Sequence, residues 1–252
     1  MQLKATRDEA RGGWVLQGHK IWTTSAHFAD WYWVGARTSE HKHKGITLFL
    51  VPMNHEGFEI HPTWTIGDER SNEVFFNSVF VPDSHVVGQV GSGWTYICEA
   101  LDLERFAMLP VGPVEMKLKG LIEYVRTATL DGEPLAADPV VREKVAKLCA
   151  DLEVARKLQR KVISEALKNR VPTIEAAMYK MWQSQLGQRI ANVALDLIGP
   201  DAALKPEVEG APAGGRYERS YRYTVVDTIG GGTSEVQRNI IAQRGLGLPK
   251  SF

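Results

Sequence analysis

Apolar and polar positions alternate with a period of two through the first ninety residues, and that alternation predicts strands. "GWVLQGHKIWTTSA" (13–26) alternates and is broken by Gly18. "WYWVGART" (31–38) and "GITLFLVPM" (45–53) are short apolar runs rich in β-formers and bounded by turn residues. "GFEIHPTWTI" (57–66), "EVFFNSVFVP" (73–82) and "SHVVGQVG" (84–91) extend the series. Pro52, Pro62 and Pro82 fall at the edges of these runs, where a strand tolerates a missing donor. No period of 3.6 is present in this half.

The pattern changes at Gly91, Ser92 and Gly93. From Trp94 to about Val125 the apolar residues recur at helical spacing: Ile97, Leu101, Leu103, Met108, Val111, Val114, Leu118, Leu121 and Ile122. Pro110 and Pro113 interrupt that stretch and predict a kink. "DGEPLAADP" (131–139) reads as a loop, and 139–169 as a long helix with Pro139 in its first turn. Another helix covers 172–199 and is closed by Gly199 and Pro200. "KPEVEGAPAGGRYERS" (205–220) reads as a polar loop, and a last helix starts near Thr233 or Ser234 and runs to about Arg244. A β-domain over 1–90 followed by long antiparallel helices over 91–252 is an α+β layout, the helices forming an up-down bundle.

Composition narrows the function classes. The 252 residues suffice for a substantial core. Thirty basic and thirty acidic residues cancel, which removes a global electrostatic argument for nucleic acid. No apolar run approaches the roughly 20 residues a bilayer span needs. The opening "MQLKATRDEARGG" is polar rather than a signal peptide. Cys98 and Cys149 make neither a disulfide framework nor a zinc site, and a reducing cytoplasm is the expected location. His41 and His43 in "SEHKHKG" lack a third and fourth metal ligand and read as a solvated hairpin turn, so no metal is expected. "KLQRKVISEALKNR" (157–170) reads as a solvated basic face, with coenzyme A phosphate contact as its alternative.

"TIGGGTSEV" (228–236) places three glycines directly before a helix start. Glycines there supply no side chain and let another group approach the backbone. This stretch is one of three that carry a family resemblance. "GHKIWTTSAHFADWYWVGART" resembles the flavin-facing strand pair of acyl-CoA dehydrogenases, "NEVFFNSVFVPDSHVVGQVGSGW" their strand leading into the C-terminal helical domain, and "GGGTSEVQRNIIAQRGLGLP" their C-terminal flavin-contact helix. Order and spacing match as well, over nearly the whole chain. The resemblance implies a barrel-like middle β-domain between two helical domains. The first helical domain is missing here, as is the strand that normally precedes "KATRDE"; a misplaced start, a fragment and a segment supplied by another chain are the open readings.

The resemblance also implies the chemistry: FAD-dependent α,β-dehydrogenation of an acyl-CoA thioester, in which a carboxylate takes the α-proton and the β-hydrogen leaves as hydride to flavin N5. Many members carry the base just before the Gly-Thr-Ser of the last segment, where this chain has Gly231. A branch that includes isovaleryl- and long-chain-type enzymes carries it on the first long helix, in a Leu-Asp-x-Glu-Arg motif. "ALDLERFAM" puts Glu104 at that position. A surface salt bridge is the alternative for Glu104. Asp102, Arg105, Gly231 and Gly232 are the implied substrate-side residues, with Arg105 read as ordering the helix rather than reacting. Trp22, Thr24, Ser25, Thr233 and Gln237 are the implied cofactor contacts: Trp22 against the isoalloxazine, Thr24 near N5, and Thr233 and Gln237 at a helix start that suits polar cofactor atoms. A core role for Trp22 and simple capping by Thr233 or Ser234 are the structural alternatives.

Two positions depart from the family pattern. The usual Arg-x-x-Phe-Gly that contacts a neighbouring subunit's flavin is replaced in "YVRTATLDGEPL" by Ala128 and Asp131, with only Gly132 kept. The Gln-x-x-Gly-Gly segment has become "DLIGPDA", with Asp196 and Pro200. These losses resemble a branch acting on steroid side chains and dicarboxylates, in which two related subunits form an α2β2 tetramer. Expected partners are an acyl-CoA, an electron-transfer flavoprotein and a like or related subunit. A non-catalytic partner subunit and a different flavin reaction, such as oxidation with oxygen, are the rival functions.

Overall fold

The structure is a computed structural model that describes residues 2–107 and 109–250. It divides into two compact units, Met1–Ala100 and Leu101–Phe252. The first is built on one seven-stranded mixed sheet. Its strands are β1 (Lys4–Asp8), β2 (Gly13–Lys20), β3 (Trp31–Arg37), β4 (Ile46–Pro52), β5 (Phe58–Trp64), β6 (Arg70–Pro82) and β7 (Val86–Val87), in the order β5-β6-β2-β1-β3-β4-β7. All neighbours are antiparallel except β1 and β3. Leu16, Ala36, Phe49, Val51, Val74, Phe76, Val79 and Val81 form a fully buried core, with Leu3 among them.

Strand β1 was not anticipated from the alternation. Its sequence KATRD carries a single buried residue, Ala5, yet it lies mid-sheet, paired on both sides. The backbone ladder rather than an apolar face holds it there. Pro62 sits inside β5 rather than at its end. It is accommodated because β5 is an edge strand, so one row of its N–H groups has no ladder to complete. The expected strand at 84–91 shrinks to Val86–Val87, preceded by a 3-10 turn at Asp83–His85.

Helix α1 (Gly93–Ala107) crosses from the first unit into the second. The rest of the second unit consists of α2 (Val111–Thr127), the hairpin β8 (Thr129–Leu130) and β9 (Glu133–Pro134), α3 (Pro139–Ala166), α4 (Thr173–Ile198), α5 (Arg216–Asp227) and α6 (Ser234–Ile240), the last continued by a π-helical turn, Ile241–Gly245. Asp138 caps α3, its carboxylate accepting from the Val140 N–H at 2.7 Å, with Pro139 in the first helical position. Helix α4 packs against α2, α3, α5 and α6 and is buried on most sides. It shares a core with Leu118, Leu121, Leu148, Leu152 and Val162. Gly199 ends it at φ 82°, a left-handed turn open to glycine.

Two expectations need correction here. The prolines at 110 and 113 break the helical stretch rather than kink it: α1 ends at Ala107 and α2 begins at Val111, with Pro110 as its cap residue and Pro113 tolerated in its first turn. Met108 lies outside the described residues. The expected loop over 205–220 gives way at Arg216 to α5. The buried face of α5 is Tyr217, Ser220 and Thr224 with Glu218, so it lacks the aliphatic stripe that periodicity detects. A paired Glu218–Arg222, four residues apart, stabilises it instead. Among the described residues no helix is long and apolar enough to cross a membrane.

Candidate active site

In the sheet unit, the loop 21–30 between β2 and β3 presents Trp22. Asn72, fully buried on β6, clamps the next residue: the Thr23 N–H donates to the Asn72 carbonyl at 2.9 Å, and Asn72 Nδ2 donates to the Thr23 carbonyl at 2.8 Å. Thr23 Oγ1 also pairs with the Tyr32 hydroxyl at 2.7 Å. With Thr23 drawn inward, Trp22 adopts φ 61° and its side chain turns out, 61% exposed. A left-handed tryptophan is an uncommon, strained conformation, maintained by the clamp behind it. Thr24 is exposed and Ser25 half-buried at φ 65°, its carbonyl accepting from the Phe28 and Ala29 N–H groups. Burial lowers the Lys20 ammonium to about 8. A concavity of about 420 Å³ lies alongside, lined by residues 26–31, Pro52, Met53, Asn54 and Ile60, and does not include Trp22 or Thr24.

In the helical unit, the glycine loop 230–232 is gripped by side chains from three helices. Arg105 Nε on α1 donates to the Gly231 carbonyl at 3.0 Å. Lys180 Nζ on α4 donates to the Gly232 carbonyl at 2.7 Å. Gln237 Nε2 on α6 donates to both, at 3.1 and 3.0 Å. Arg105 is itself paired with Asp102, both nearly buried, and Asp102 accepts from Thr173 Oγ1 at 2.7 Å. The left-handed φ of Gly231 (67°) and Gly232 (98°) lets the loop fold back on these donors, and a Cβ at Gly232 would lie 2.7 Å from Gln237 Nε2. Among the described residues nothing accepts from the N–H groups of Gly231, Gly232 and Thr233. Thr233 caps α6, its hydroxyl accepting from the Val236 N–H.

Asp102, Arg105, Gly231, Gly232 and Gln237 therefore form one cluster in which the Arg105 and Gln237 donors hold the loop and Asp102 holds Arg105, while the buried Gln237 Oε1 has no described partner. Glu104, one residue before Arg105, is exposed, and no described residue pairs with its carboxylate. Three residues that matter were not singled out from sequence: Asn72, Thr173 and Lys180. Lys180 left a faint signal, a lone cation in the apolar run "AAMYKMW" on a helix face otherwise made of small residues. Only 1% of it is exposed, and burial lowers its ammonium to about 8, against the opposing pull of Asp227 and Glu235.

The remaining expected contacts take local roles. Asp131 (φ 53°) and Gly132 (φ 86°) are the two left-handed residues at the tip of the β8–β9 hairpin, the conformation an Asp-Gly turn favours. Asp196 is paired with Lys144. His41 Nδ1 accepts from the Lys44 N–H at 3.0 Å inside the β3–β4 turn, and His43 stacks on Trp94. For the flavin that the resemblance implies, an outward indole fits a flat ring, and the unpaired N–H groups of the glycine loop fit an oxygen acceptor. The hairpin offers no cation to a phosphate.

Residues 91–246 match the family model described as acyl-CoA dehydrogenase, C-terminal domain, and residues 1–79 the one described as acyl-CoA dehydrogenase, middle domain. The acyl-CoA dehydrogenase FadE26 of Mycobacterium tuberculosis is 30% identical over 99% of this chain and 64% of its own length. Among solved structures, the Tcur3481–Tcur3483 steroid ACAD superposes with a TM-score of 0.90 at 31% identity, covering 100% of this chain and 64% of that one. The ChsE4–ChsE5 complex from Mycobacterium tuberculosis gives 0.89 at 29% identity, covering 100% and 65%. The chain thus spans a little under two thirds of the length of these relatives.

Proposed function

The chain belongs to the acyl-CoA dehydrogenase family, and from that premise we propose that it forms the sheet and helical-bundle part of a flavin-dependent enzyme that oxidises an acyl-CoA thioester between Cα and Cβ, with Glu104 as the base. The observation that carries this reading is the bond from Arg105 to the Gly231 carbonyl. It ties the helix bearing Glu104 to a loop with no side chain, at the position where many relatives carry the base instead.

Each residue then has a role. Glu104 takes the α-proton. A carboxylate is a competent base for a thioester α-proton only when dried, since desolvation raises its affinity for the proton. Glu104 is exposed in this chain, so the substrate, the cofactor or a further polypeptide must cover it. The N–H groups of Gly231 and Gly232 hold the thioester oxygen and draw electron density from the α-carbon, acidifying its proton. Asp102 and Arg105 keep α1 and the loop in register. In the sheet unit Trp22 offers its indole as a flat wall for FAD, with Thr24 and Ser25 beside it; in the helical unit Thr233 and Gln237 are the contacts for polar cofactor atoms. When bound, FAD supplies the acceptor for the β-hydrogen, and an electron-transfer flavoprotein takes the electrons onward. The room left by Gly231 suits a bulky acyl group, in line with the steroid enzyme among the similar structures.

Glu104→Gln tests the assignment. We expect kcat to fall about 10³-fold, within the range for loss of a general base, with flavin and acyl-CoA binding kept. Unchanged turnover would remove Glu104 from the mechanism. A second reading, a non-catalytic subunit of a two-chain enzyme, is favoured by one observation: Asp131 and Gly132 form a hairpin tip with no cation for a partner's flavin phosphate. Co-expression with a full-length paralogue separates the two. Flavin bands that bleach with acyl-CoA and survive Glu104→Gln without bleaching support the first reading. Bleaching that persists in the variant supports the second.

A further inference from the structure

Helix α4 carries a buried polar stripe that the proposed reaction leaves unexplained. Within one turn, the Tyr179 hydroxyl donates to the Leu109 carbonyl, Lys180 Nζ donates to the Gly232 carbonyl at 2.7 Å, and Gln183 Nε2 donates to the Pro110 carbonyl at 3.2 Å. All three side chains are at least 99% buried. Two of the carbonyls belong to the break between α1 and α2, where Pro110 has no N–H and the last carbonyls of α1 lose their helical partners. The third belongs to the glycine loop. One turn of α4 thus grips both the connection from α1 to α2 and the loop that Arg105 of α1 also holds.

A buried ammonium is a costly way to satisfy one carbonyl when Gln237 already donates to it. Its advantage is directional. A charged donor bonds more strongly than an amide and polarises the peptide it holds, so the N–H on the far side of that peptide becomes a better donor. The peptide held by Lys180 joins Gly232 to Thr233, so the polarised N–H is that of Thr233, the implied cofactor contact, while the Gly231 and Gly232 N–H groups take their direction from the loop end that this bond fixes. The charged groups facing Lys180 are Asp227 from α5, Glu235 from α6 and Arg105 from α1.

We propose that Lys180 is a positioning residue for the acyl-CoA site: anchored on α4 between Tyr179 and Gln183, it fixes the 230–232 loop relative to the α1 elbow and aims the loop N–H groups at the thioester. This rests on the functional reading above. It goes beyond that reading in assigning the aim of the loop to a residue that touches neither substrate nor cofactor.

The test compares Lys180→Met and Lys180→Gln, which lose the charged donor, with Lys180→Arg, which keeps it. The glutamine side chain is one bond too short to reach the Gly232 carbonyl and stays polar, so it serves if the methionine variant does not fold. The first measurement is amide hydrogen exchange in the purified protein with whatever cofactor and partner it retains. Ser234 reports on the loop, because its N–H bonds to the Thr228 carbonyl across it, and Gly230 reports on the loop's first residue, tied by its N–H to the Val226 carbonyl near the end of α5. Leu186 and Ile190 report on the core of α4. We expect about tenfold faster exchange at Gly230 and Ser234 in the two loss variants, no change at Leu186 and Ile190, and near-normal values in Lys180→Arg. In the turnover assay the loss variants should lower kcat more than they raise KM for acyl-CoA, because the loop N–H groups act on the charge that develops as the α-proton leaves, with the flavin spectrum unchanged.

Loop exchange that stays at the wild-type rate in both loss variants overturns the proposal whatever the activity. So does equal acceleration of loop and α4 core, which would make Lys180 a general packing residue. Failure of the functional reading looks different: the unmutated protein would show neither acyl-CoA turnover nor bleaching, while the exchange comparison would still decide whether Lys180 holds the loop.

Discussion

The two candidate loops, one in each unit, are held by opposite means. The Trp22 loop is clamped by Asn72, whose side-chain amide donates to the Thr23 carbonyl and whose main-chain carbonyl accepts from the Thr23 N–H, with a large aromatic residue beside it in a left-handed, outward position. The glycine loop has no side chain to present and is clamped by two cations and one amide, all donating to its carbonyls. One clamp shapes where a side chain points. The other leaves the side chain out and controls where backbone N–H groups point. A neutral clamp is modest in strength, whereas a charged one is strong and costly to break.

The sharpest way to break the contrast is Asp102→Ala. It leaves the Arg105 guanidinium buried without its partner, and removing one member of a buried pair costs about 3–5 kcal/mol. Urea unfolding should show that loss, and a change below about 1 kcal/mol would mean that the Arg105 clamp is solvated after all. The pH dependence comes next. The Lys180 ammonium sits at about 8 in the folded chain against an ordinary 10.5. Between those values the unfolded chain binds the extra proton, so this residue makes stability rise with pH across that window, by up to about 3 kcal/mol. The difference between the wild-type and Lys180→Met urea midpoints should grow in favour of the wild type from pH 8 to 10, and a flat difference would contradict the burial of Lys180. Over the same window the loop bond should loosen as the ammonium becomes an amine.

On the neutral side the effects are smaller. Asn72→Ala should cost about 2 kcal/mol, because the Thr23 carbonyl and the His27 ring lose their shared donor, and urea unfolding would show it. Smallest of all, Trp22→Gly removes the left-handed strain and should change stability by about 1 kcal/mol or less. Yet it should abolish retained flavin absorbance. If flavin is retained without the indole, Trp22 is not the wall for the ring.

The strands beyond the first and most of the helices were legible in the sequence because each carries its own periodic apolar face. Strand β1 was not, since it draws its place from two neighbours rather than from its single buried alanine. Helix α5 was not, because tyrosine, serine and threonine make up its buried face. The candidate site was legible to the same degree. The family resemblance singled out Trp22, Glu104 and the triple glycine as candidates by their own residue types. Asn72, Thr173 and Lys180 escaped, since each acts by reaching a backbone or side chain at least 49 residues away in sequence.

Sequence alone thus determined the class of fold, the strands and helices with a periodic apolar face and, through the resemblance of three motifs, the family. These follow from local periodicity and from residue identity at fixed spacing, which need no knowledge of contacts. Tertiary structure decided what Asp102, Arg105 and Gln237 do, turning them inward onto a loop more than a hundred residues from Arg105. It also drew a buried lysine into that cluster. A carbonyl has no preferred partner along the chain, and only the packing of α1, α4 and α6 brings a guanidinium, an ammonium and an amide within hydrogen-bonding distance of the same two glycines.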